Sequence, residues 1–454
     1  MSTWVSGSTA TARWPTSAPT GRWNTSTGPA GEACRTRNER RRHVHRAQSR
    51  PMRPALRSGL LALSLFVLAA CRANAPVATA DHAMSLRFAT FNASLYTEQA
   101  GGLLARLQAG DPDARKIAAV IQRQRPDVLL INEFDYDPEG AAAALFMRDY
   151  LGVGQHGQEA ITYPYHYLAP VNTGEPSGLD LDLNGRVATQ GRERGNDAWG
   201  YGLHPGQYGM LVLSRYPIDT DAARSFRLLR WAAMPGALAP RDPATGGPWY
   251  PEETWQQLRL SSKSHWDLPV LTPLGTVHLL AAHPTPPVFD GPERRNAARN
   301  HDEIRLWAEY VSPGEKPWLC DDRQRCGGLP EGERFVIAGD YNADPADGSS
   351  LPGTIQLLLE HPRVLRHATP RSEGAVAAVG GSAADADQHS SPAHDTAQFG
   401  PRSGNFRVDY VLPSVGFSVT GSGVFWPAPG QPGADWLDAT DHRMVWVDLV
   451  NPHL

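Results

Sequence analysis

Four short apolar runs set the pattern of this chain: Leu86–Phe91, Val128–Asn132, Val277–Ala282 and Phe335–Ala338. Each stops abruptly at or near a polar residue, Asn92, Glu133, His283 and, after Gly339, Asp340. Continuous apolar runs of this length predict strands buried on both faces, and their polar ends predict one sheet rim that receives chemistry. Tyr208–Ser214, bounded by Arg215-Tyr216-Pro217, and Met444–Leu449 predict two more strands. Asp111 before Pro112 signals a helix start. Ile117, Val120 and Ile121 then recur at helical spacing until Pro126 ends the helix. A second helix is predicted over Glu293–Val311, with Ala298, Ile304, Trp307 and Val311 inward and Arg294, Arg295 and Arg299 elsewhere. There are no internal repeats, and 86–454 reads as one domain with long decorations. One decoration is the Gly/Asp-rich loop Asn172–Trp199. Another is Ser372–Gly404, expected to be a long surface loop and a lid over the rim, because it precedes the strand that carries Asp409.

Six stretches carry the candidate chemistry: FATFNAS with Asn92, LLINEFD with Glu133, LAAHPTPP with His283, IAGDYNADP with Asp340 and Asn342, FRVDYVLP with Asp409, and ATDHRMVWVDL with Asp441 and His442. Carboxylate, amide and imidazole are the groups that a hard divalent cation and a phosphate-ester hydrolysis require. A carboxylate at the end of a buried strand is costly when unpaired, and a cation removes that cost. Each residue also has a plainer reading. Glu133 alone fits a solvent-facing strand-end acid, Asp340 and Asn342 fit an Asx-turn, and a lone His283 fits a structural histidine. Gly339 allows a close backbone turn, which lets Asp340 and Asn342 face one side while Tyr341 packs.

Taken in this order, the set resembles the endonuclease/exonuclease/phosphatase superfamily, the group that includes deoxyribonuclease-I-like enzymes, bacterial sphingomyelinases and inositol-phosphate 5-phosphatases. GDYN followed far downstream by RVDY and then TDH carries the resemblance, which spans roughly Leu86 to Val450. It implies an α/β (α+β) fold, a four-layer αββα sandwich of two mixed β-sheets with helices on both outer faces. It implies Glu133 as principal metal ligand with Asn92 beside it, and Asp441 helping to bind the metal or its water. Asp340 and Asn342 would hold the attacking water and the scissile phosphate. His442 would be the base oriented by Asp409, and His283 the second catalytic histidine. The deoxyribonuclease branch has a further glutamate just before the strand at Tyr208–Ser214. Gly206-Gln207-Tyr208 stands there instead, so His283 is expected to lack a carboxylate partner. The cofactor implied is Mg²⁺, with Mn²⁺ as the alternative. The activity implied is hydrolysis of a phosphate ester, as a phosphodiesterase or nuclease. A phosphomonoesterase for a small organic phosphate and a non-catalytic binding lipoprotein are the rivals.

The first residues change the picture of charge and location. Residues 1–51 lack apolar periodicity and read as an extension upstream of a second start at Met52. Residues 52–71 carry arginines, an apolar run Leu60–Ala70 and Leu68-Ala69-Ala70-Cys71. This is a secretory signal that resembles a bacterial lipobox and is too short for a comfortable span. A plain signal peptide cleaved near Ala80 is the alternative. Residues 72–85 read as a tether and 86–454 as the catalytic domain. The expected location is a bacterial membrane, anchored by lipidated Cys71. Arg72 in place of an aspartate points to the outer membrane and its periplasmic or extracellular face. Without residues 1–70 the chain has 32 Lys and Arg against 45 Asp and Glu, a net −13. Such a chain suits non-specific duplex binding poorly. A monomer is expected, with nucleic acid kept among the candidate substrates.

Three further expectations concern single groups. Cys320 and Cys326 close a small disulfide loop, as befits an exported chain. Asp180, Asp182 and Asn184 match half of a calcium loop that Asp197 would close, or else an Asp/Gly turn without metal. Arg295 and Arg299, soon after His283, are candidate contacts to substrate phosphate or a solvated helix face. The anchoring expectation has a direct check. Expression from Met52 is predicted to give a membrane-fraction protein that incorporates labelled fatty acid, and Cys71→Ser to abolish the label. An unlabelled protein beginning near Ala83 contradicts it.

Overall fold

The computed structural model describes residues 84–380 and 388–453. The expected extension, signal peptide, Cys71 and nearly all of the tether lie outside the described residues. In chain order the strands are β1 (Leu86–Leu95), β2 (Val128–Phe134), β3 (Tyr165–Leu168), β4 (Met210–Ser214), β5 (Arg224–Ser225), β6 (His265–Thr272) and β7 (Gly275–Ala282). They continue with β8 (Arg334–Asp340), β9 (Ala397–Gln398), β10 (Asn405–Phe406), β11 (Asp409–Pro413), β12 (Ser418–Val424) and β13 (Val445–Val450). One sheet has the order β12-β13-β1-β2-β4-β3 and a second β11-β8-β7-β6-β5, while β9 and β10 form a small hairpin. Both large sheets are mixed: β1 and β2 are parallel in the first, β7 and β8 in the second, and the other pairs are antiparallel.

The layers follow from which side chains each strand turns which way. Phe88, Val128, Leu130, Met210 and Val212 of the first sheet pack against Trp266, Leu268, Val277, Leu279, Val336 and Val411 of the second. On the outer face of the first sheet, Phe91, Leu129, Ile131, Leu211 and Leu213 meet Ile117, Val120 and Ile121. Those three lie on the helix Pro112–Gln124, whose start is fixed by Asp111 accepting from the backbone N–H of Asp113 and Ala114. Leu280, Phe335, Ile337, Tyr410 and Leu412 of the second sheet cover Ile304, Trp307, Tyr310 and Val311 of the helix Arg295–Val311. The result is the αββα sandwich expected from the sequence.

Two strand ends are brought together by one glycine. Gly339 pairs with Ala282 across the parallel β7–β8 ladder, and a Cβ on it would lie 2.0 Å from the Ala282 carbonyl oxygen. Only glycine lets β8 approach β7 this closely, so the residues that follow, His283 and Asp340, emerge side by side.

The Ser372–Gly404 segment differs from the long loop expected. It carries the helix Glu373–Ala378, capped by Ser372, and the strand β9 that pairs with β10. Arg443 N–H donates to the Thr396 carbonyl and Gln398 N–H to the Asp441 carbonyl. The segment is therefore hydrogen-bonded into the rim, not only laid over it. Composition concealed this because the partners lie far along the chain. Cys320 and Cys326 form the expected disulfide.

Candidate active site

The two sheets meet at the ends of β1, β2, β7, β8 and β11. Asn92 is 1% exposed and its Nδ2 donates to Asp340 Oδ2 at 3.0 Å, a bond from the first sheet to the second. Asn132 makes two more crossings. Its Oδ1 accepts from Asp340 N–H at 3.2 Å and its Nδ2 donates to the Ala282 carbonyl at 3.4 Å. The same Oδ1 takes the Thr90 hydroxyl at 3.2 Å. Asn132 was not singled out in the sequence, where it reads as the last residue of an apolar run.

Asp409 and Asp340 face each other across the β8–β11 ladder. His442, 4% exposed, lies between them: Nδ1 is 2.9 Å from Asp409 Oδ2 and Nε2 is 3.6 Å from Asp340 Oδ2. The ligand atoms of Asp340, Asp409 and His442 all lie within 4.8 Å of one another. Asp409 is fixed by the Thr396 hydroxyl at 2.8 Å, while its other oxygen is buried without a partner. The His442 ring stands edge-on to Phe399, which holds its plane. Arg443 donates to the carbonyls of Thr440 and His442 and lies over the Trp426 ring, so the turn carrying the imidazole is pinned from behind. Asp441 is half exposed, with Oδ1 4.0 Å from His442 Nε2.

His283 is 2% exposed, with Nε2 3.4 Å from Asp340 Oδ2. Its Nδ1 is buried without a hydrogen-bond partner, consistent with the expected lack of a carboxylate behind it. Asn342 has φ 51°, a left-handed conformation that Asn tolerates. It donates to the Pro284 carbonyl from Nδ2, and its N–H donates to Asp340 Oδ1, so the Asx-turn reading of the GDYN segment holds as well.

Glu133 ends β2 with φ 58°, a strained position for a glutamate, and it hydrogen-bonds Asn92. Burial pushes its carboxyl up to about 7, against the pull of His442, Asn92 and Lys263. Among the described residues it has no ion-pair partner. A strained, desolvated carboxylate beside Asn92, and close to Asp340, fits an oxygen-ligated divalent cation. Asp441 is near enough to Glu133 that both act on the Tyr96 hydroxyl. The side chains that come within ligand distance of one another at this rim are Asp340, Asp409 and His442, and this acidic cluster supports binding of a divalent metal.

The two histidines are driven in opposite directions. Burial alone pushes His442 down, but Asp409, Asp340 and Asp441 outweigh it and raise it to about 10. Burial, with the charges of Lys263 and His442, pushes His283 well below the ordinary value and keeps it neutral. Burial also raises Asp409, more than its bond to His442 lowers it.

Other expected residues have different partners. Arg299 donates to the backbone carbonyls of Leu260, Trp199 and Arg259, so it ties the Arg259–Leu260 segment to Trp199. Arg295 pairs with Glu293. Asp180, Asp182 and Asp197 do come together. Their oxygens accept from the backbone N–H of Asn184, Gly185, Leu181 and Ala188, which organises the loop as an Asp/Gly turn would. Lys263, absent from the sequence reading, is 6% exposed, and its charge acts on Glu133 and His283.

The model of the Endonuclease/Exonuclease/phosphatase family matches residues 89–442, from inside β1 to His442 itself. The chain belongs to this family. The family is one of hydrolytic phosphoesterases, so its members' chemistry is the chemistry that the assembled carboxylates and imidazole can perform. Among solved structures, the chain is similar to an endonuclease/exonuclease/phosphatase from Beutenbergia cavernae, at 19% identity over 81% of this chain and 72% of that one, TM-score 0.46. It is also similar to sphingomyelinase C from Streptomyces griseocarneus, at 17% identity over 80% and 99%, TM-score 0.38. A Staphylococcus aureus beta toxin mutant with bound magnesium ions follows at 13% identity over 80% and 99%, TM-score 0.39. At these identities the substrates of those proteins do not transfer to this chain. No curated protein matches it.

The charge on His442 has a consequence for stability. Because its pKa is raised on folding, its contribution is fully present below about 6.5 and is lost as the pH rises through about 10. In EDTA, the stability advantage of wild type over His442→Gln, read by urea unfolding, is predicted to shrink between neutral pH and that upper limit. An advantage that stays flat or grows contradicts the placement of the imidazole among carboxylates.

Proposed function

We propose that this chain is an exported, lipid-anchored, Mg²⁺-dependent phosphoric ester hydrolase that cleaves phosphodiesters by in-line attack of water. The observation that carries this reading is the His442 ring, with Nδ1 on Asp409 and Nε2 toward Asp340. Asp409 accepts from Nδ1–H and so leaves Nε2 as the nitrogen that takes a proton from water. Asp340, within 3.6 Å of His442 Nε2 and 3.4 Å of His283 Nε2 and bonded by Asn92, would hold that water. His283, kept neutral, donates to a phosphoryl oxygen or to the leaving oxygen. Asn342 supplies an amide to the scissile phosphate.

Glu133 and Asn92, with Asp441 beside them, would hold the divalent cation. The cation supplies positive charge against the growing negative charge on phosphorus, and offsets the carboxylates that otherwise keep His442 protonated. The net −13 beyond the leader weighs against a general duplex nuclease. A purely binding role is weakened by the fact that Glu133, Asp340 and His442 are all present and gathered at one rim.

Two measurements test the reading, both against a panel of model diesters. Exhaustive dialysis against EDTA is predicted to remove activity and Mg²⁺ to restore it, while saturating Mg²⁺ does not fully rescue Glu133→Ala. Full activity after such dialysis refutes the metal-dependent mechanism. His442→Ala is predicted to lower kcat by about 10²–10⁴-fold with little change in KM, because general-base help is expressed as the new P–O bond forms. Asp409→Asn is predicted to be nearly as damaging. A raised KM with kcat intact makes His442 a substrate contact instead.

A further inference from the structure

A cavity of about 670 Å³ opens beside Glu133. Tyr96 and Tyr208 line it near that carboxylate, and Leu181, Trp231, Tyr250 and Leu258, all buried, line it as well. The ring centroids of Tyr96 and Tyr208 are 4.6 Å apart. Lys263 belongs to the same lining although it is only 6% exposed. Among the described residues its ammonium makes no hydrogen bond and no ion pair. The acid that acts on it most strongly, Glu303, has both oxygens committed, to the backbone N–H of Ser262 and of Thr285. Glu303 thereby fixes the segment carrying Lys263 and the turn after His283 without neutralising the ammonium by contact.

Burial of most of the Lys263 side chain disfavours its unpartnered ammonium, and an anion bound where that ammonium meets the cavity offsets the cost. The charge of Lys263 is felt at Glu133, Asp340 and His283, the three groups around the place where a phosphoryl group would sit. A cavity of this size suits a small organic molecule and is far too small for a duplex. We propose that Lys263 binds the phosphoryl oxygens of the substrate, and that the cavity takes the organic group of a compact phosphate ester with an apolar or aromatic body. This rests on the phosphoesterase reading and narrows it from any phosphodiester to a small one.

The test is calorimetric binding to the Mg²⁺-loaded protein of two probes that cannot be hydrolysed as esters, inorganic phosphate and phenylphosphonate. Wild type is expected to bind phenylphosphonate at least about tenfold more tightly than phosphate, since the ring enters the cavity. Lys263→Met is expected to weaken both probes by about tenfold or more, the ordinary worth of a charge-assisted hydrogen bond. Its melting temperature is expected to hold or rise, because an unpaired buried charge has been removed. Affinity unchanged in Lys263→Met overturns the assignment, whatever the melting temperature does. If Lys263→Met loses both affinity and stability, Lys263→Arg decides: recovered affinity supports the assignment and unrecovered affinity overturns it. Equal affinity of wild type for the two probes, or displacement of phenylphosphonate by a short DNA duplex at comparable concentration, overturns the compact substrate. Failure of the underlying reading looks different, since Lys263-dependent binding would then persist in a protein that hydrolyses none of the model esters.

Discussion

The hydrogen bonds that cross from one sheet to the other at Asn92, Asn132 and Asp340 hold the ends of β1, β2, β7 and β8 in one place. The sandwich core between the sheets is apolar and non-directional, and apolar packing alone tolerates a slide of one sheet over the other. The three hydrogen bonds, one from an amide to a carboxylate and two between Asn132 and backbone groups, do not. They are buried, and losing one partner leaves the other unsatisfied at a cost of about 1–3 kcal/mol. Gly339 adds a steric condition, since its contact with the Ala282 carbonyl leaves no room for a side chain. Every group at the rim takes its position from this seam.

The seam concentrates negative charge where water is scarce, and the opposite behaviour of the two histidines follows. His442 sits among Asp409, Asp340 and Asp441, which outweigh its burial and raise it, while burial, with the charges of Lys263 and His442, lowers His283. Two imidazoles on either side of one carboxylate are thereby separated into a protonated one, His442, and a neutral one, His283. Glu133, strained and pushed up to about 7, is the group for which a cation has most to offer. The acidity of the rim, the raised Glu133 and the opposite shifts of His283 and His442 are one electrostatic fact seen from three residues.

The strands and the helix at Pro112–Gln124 were legible because burial on both faces writes an uninterrupted apolar run, and a capping Asp before Pro writes a helix start. Asn92, Glu133, His283 and Asp340 were legible because each stands where such a run ends, and Asp409 and His442 because each stands where one begins. Residues that act through partners distant in sequence were not. Asn132 looks like an interruption of a strand, Thr396 like one polar residue in a biased segment, and Lys263 like any lysine before a strand. What makes each of them matter is a contact to β8, to Asp409 or to the cavity. Arg299 shows both sides: it lines the cavity beside Glu133, as a basic helix near the rim suggested, and three backbone carbonyls hold its guanidinium there, which the local pattern did not reveal. Local pattern reports burial and backbone geometry, whereas pairing across the fold is written only in three dimensions.

In the proposed mechanism water, activated at His442 and held at Asp340, attacks phosphorus directly. The stereochemical course of hydrolysis tests it most directly, using a phosphorothioate diester of defined configuration cleaved in isotopically heavy water. The account predicts inversion at phosphorus, with one solvent oxygen on the phosphorothioate product. Retention, which requires a covalent phosphoryl-enzyme and a second displacement, contradicts it.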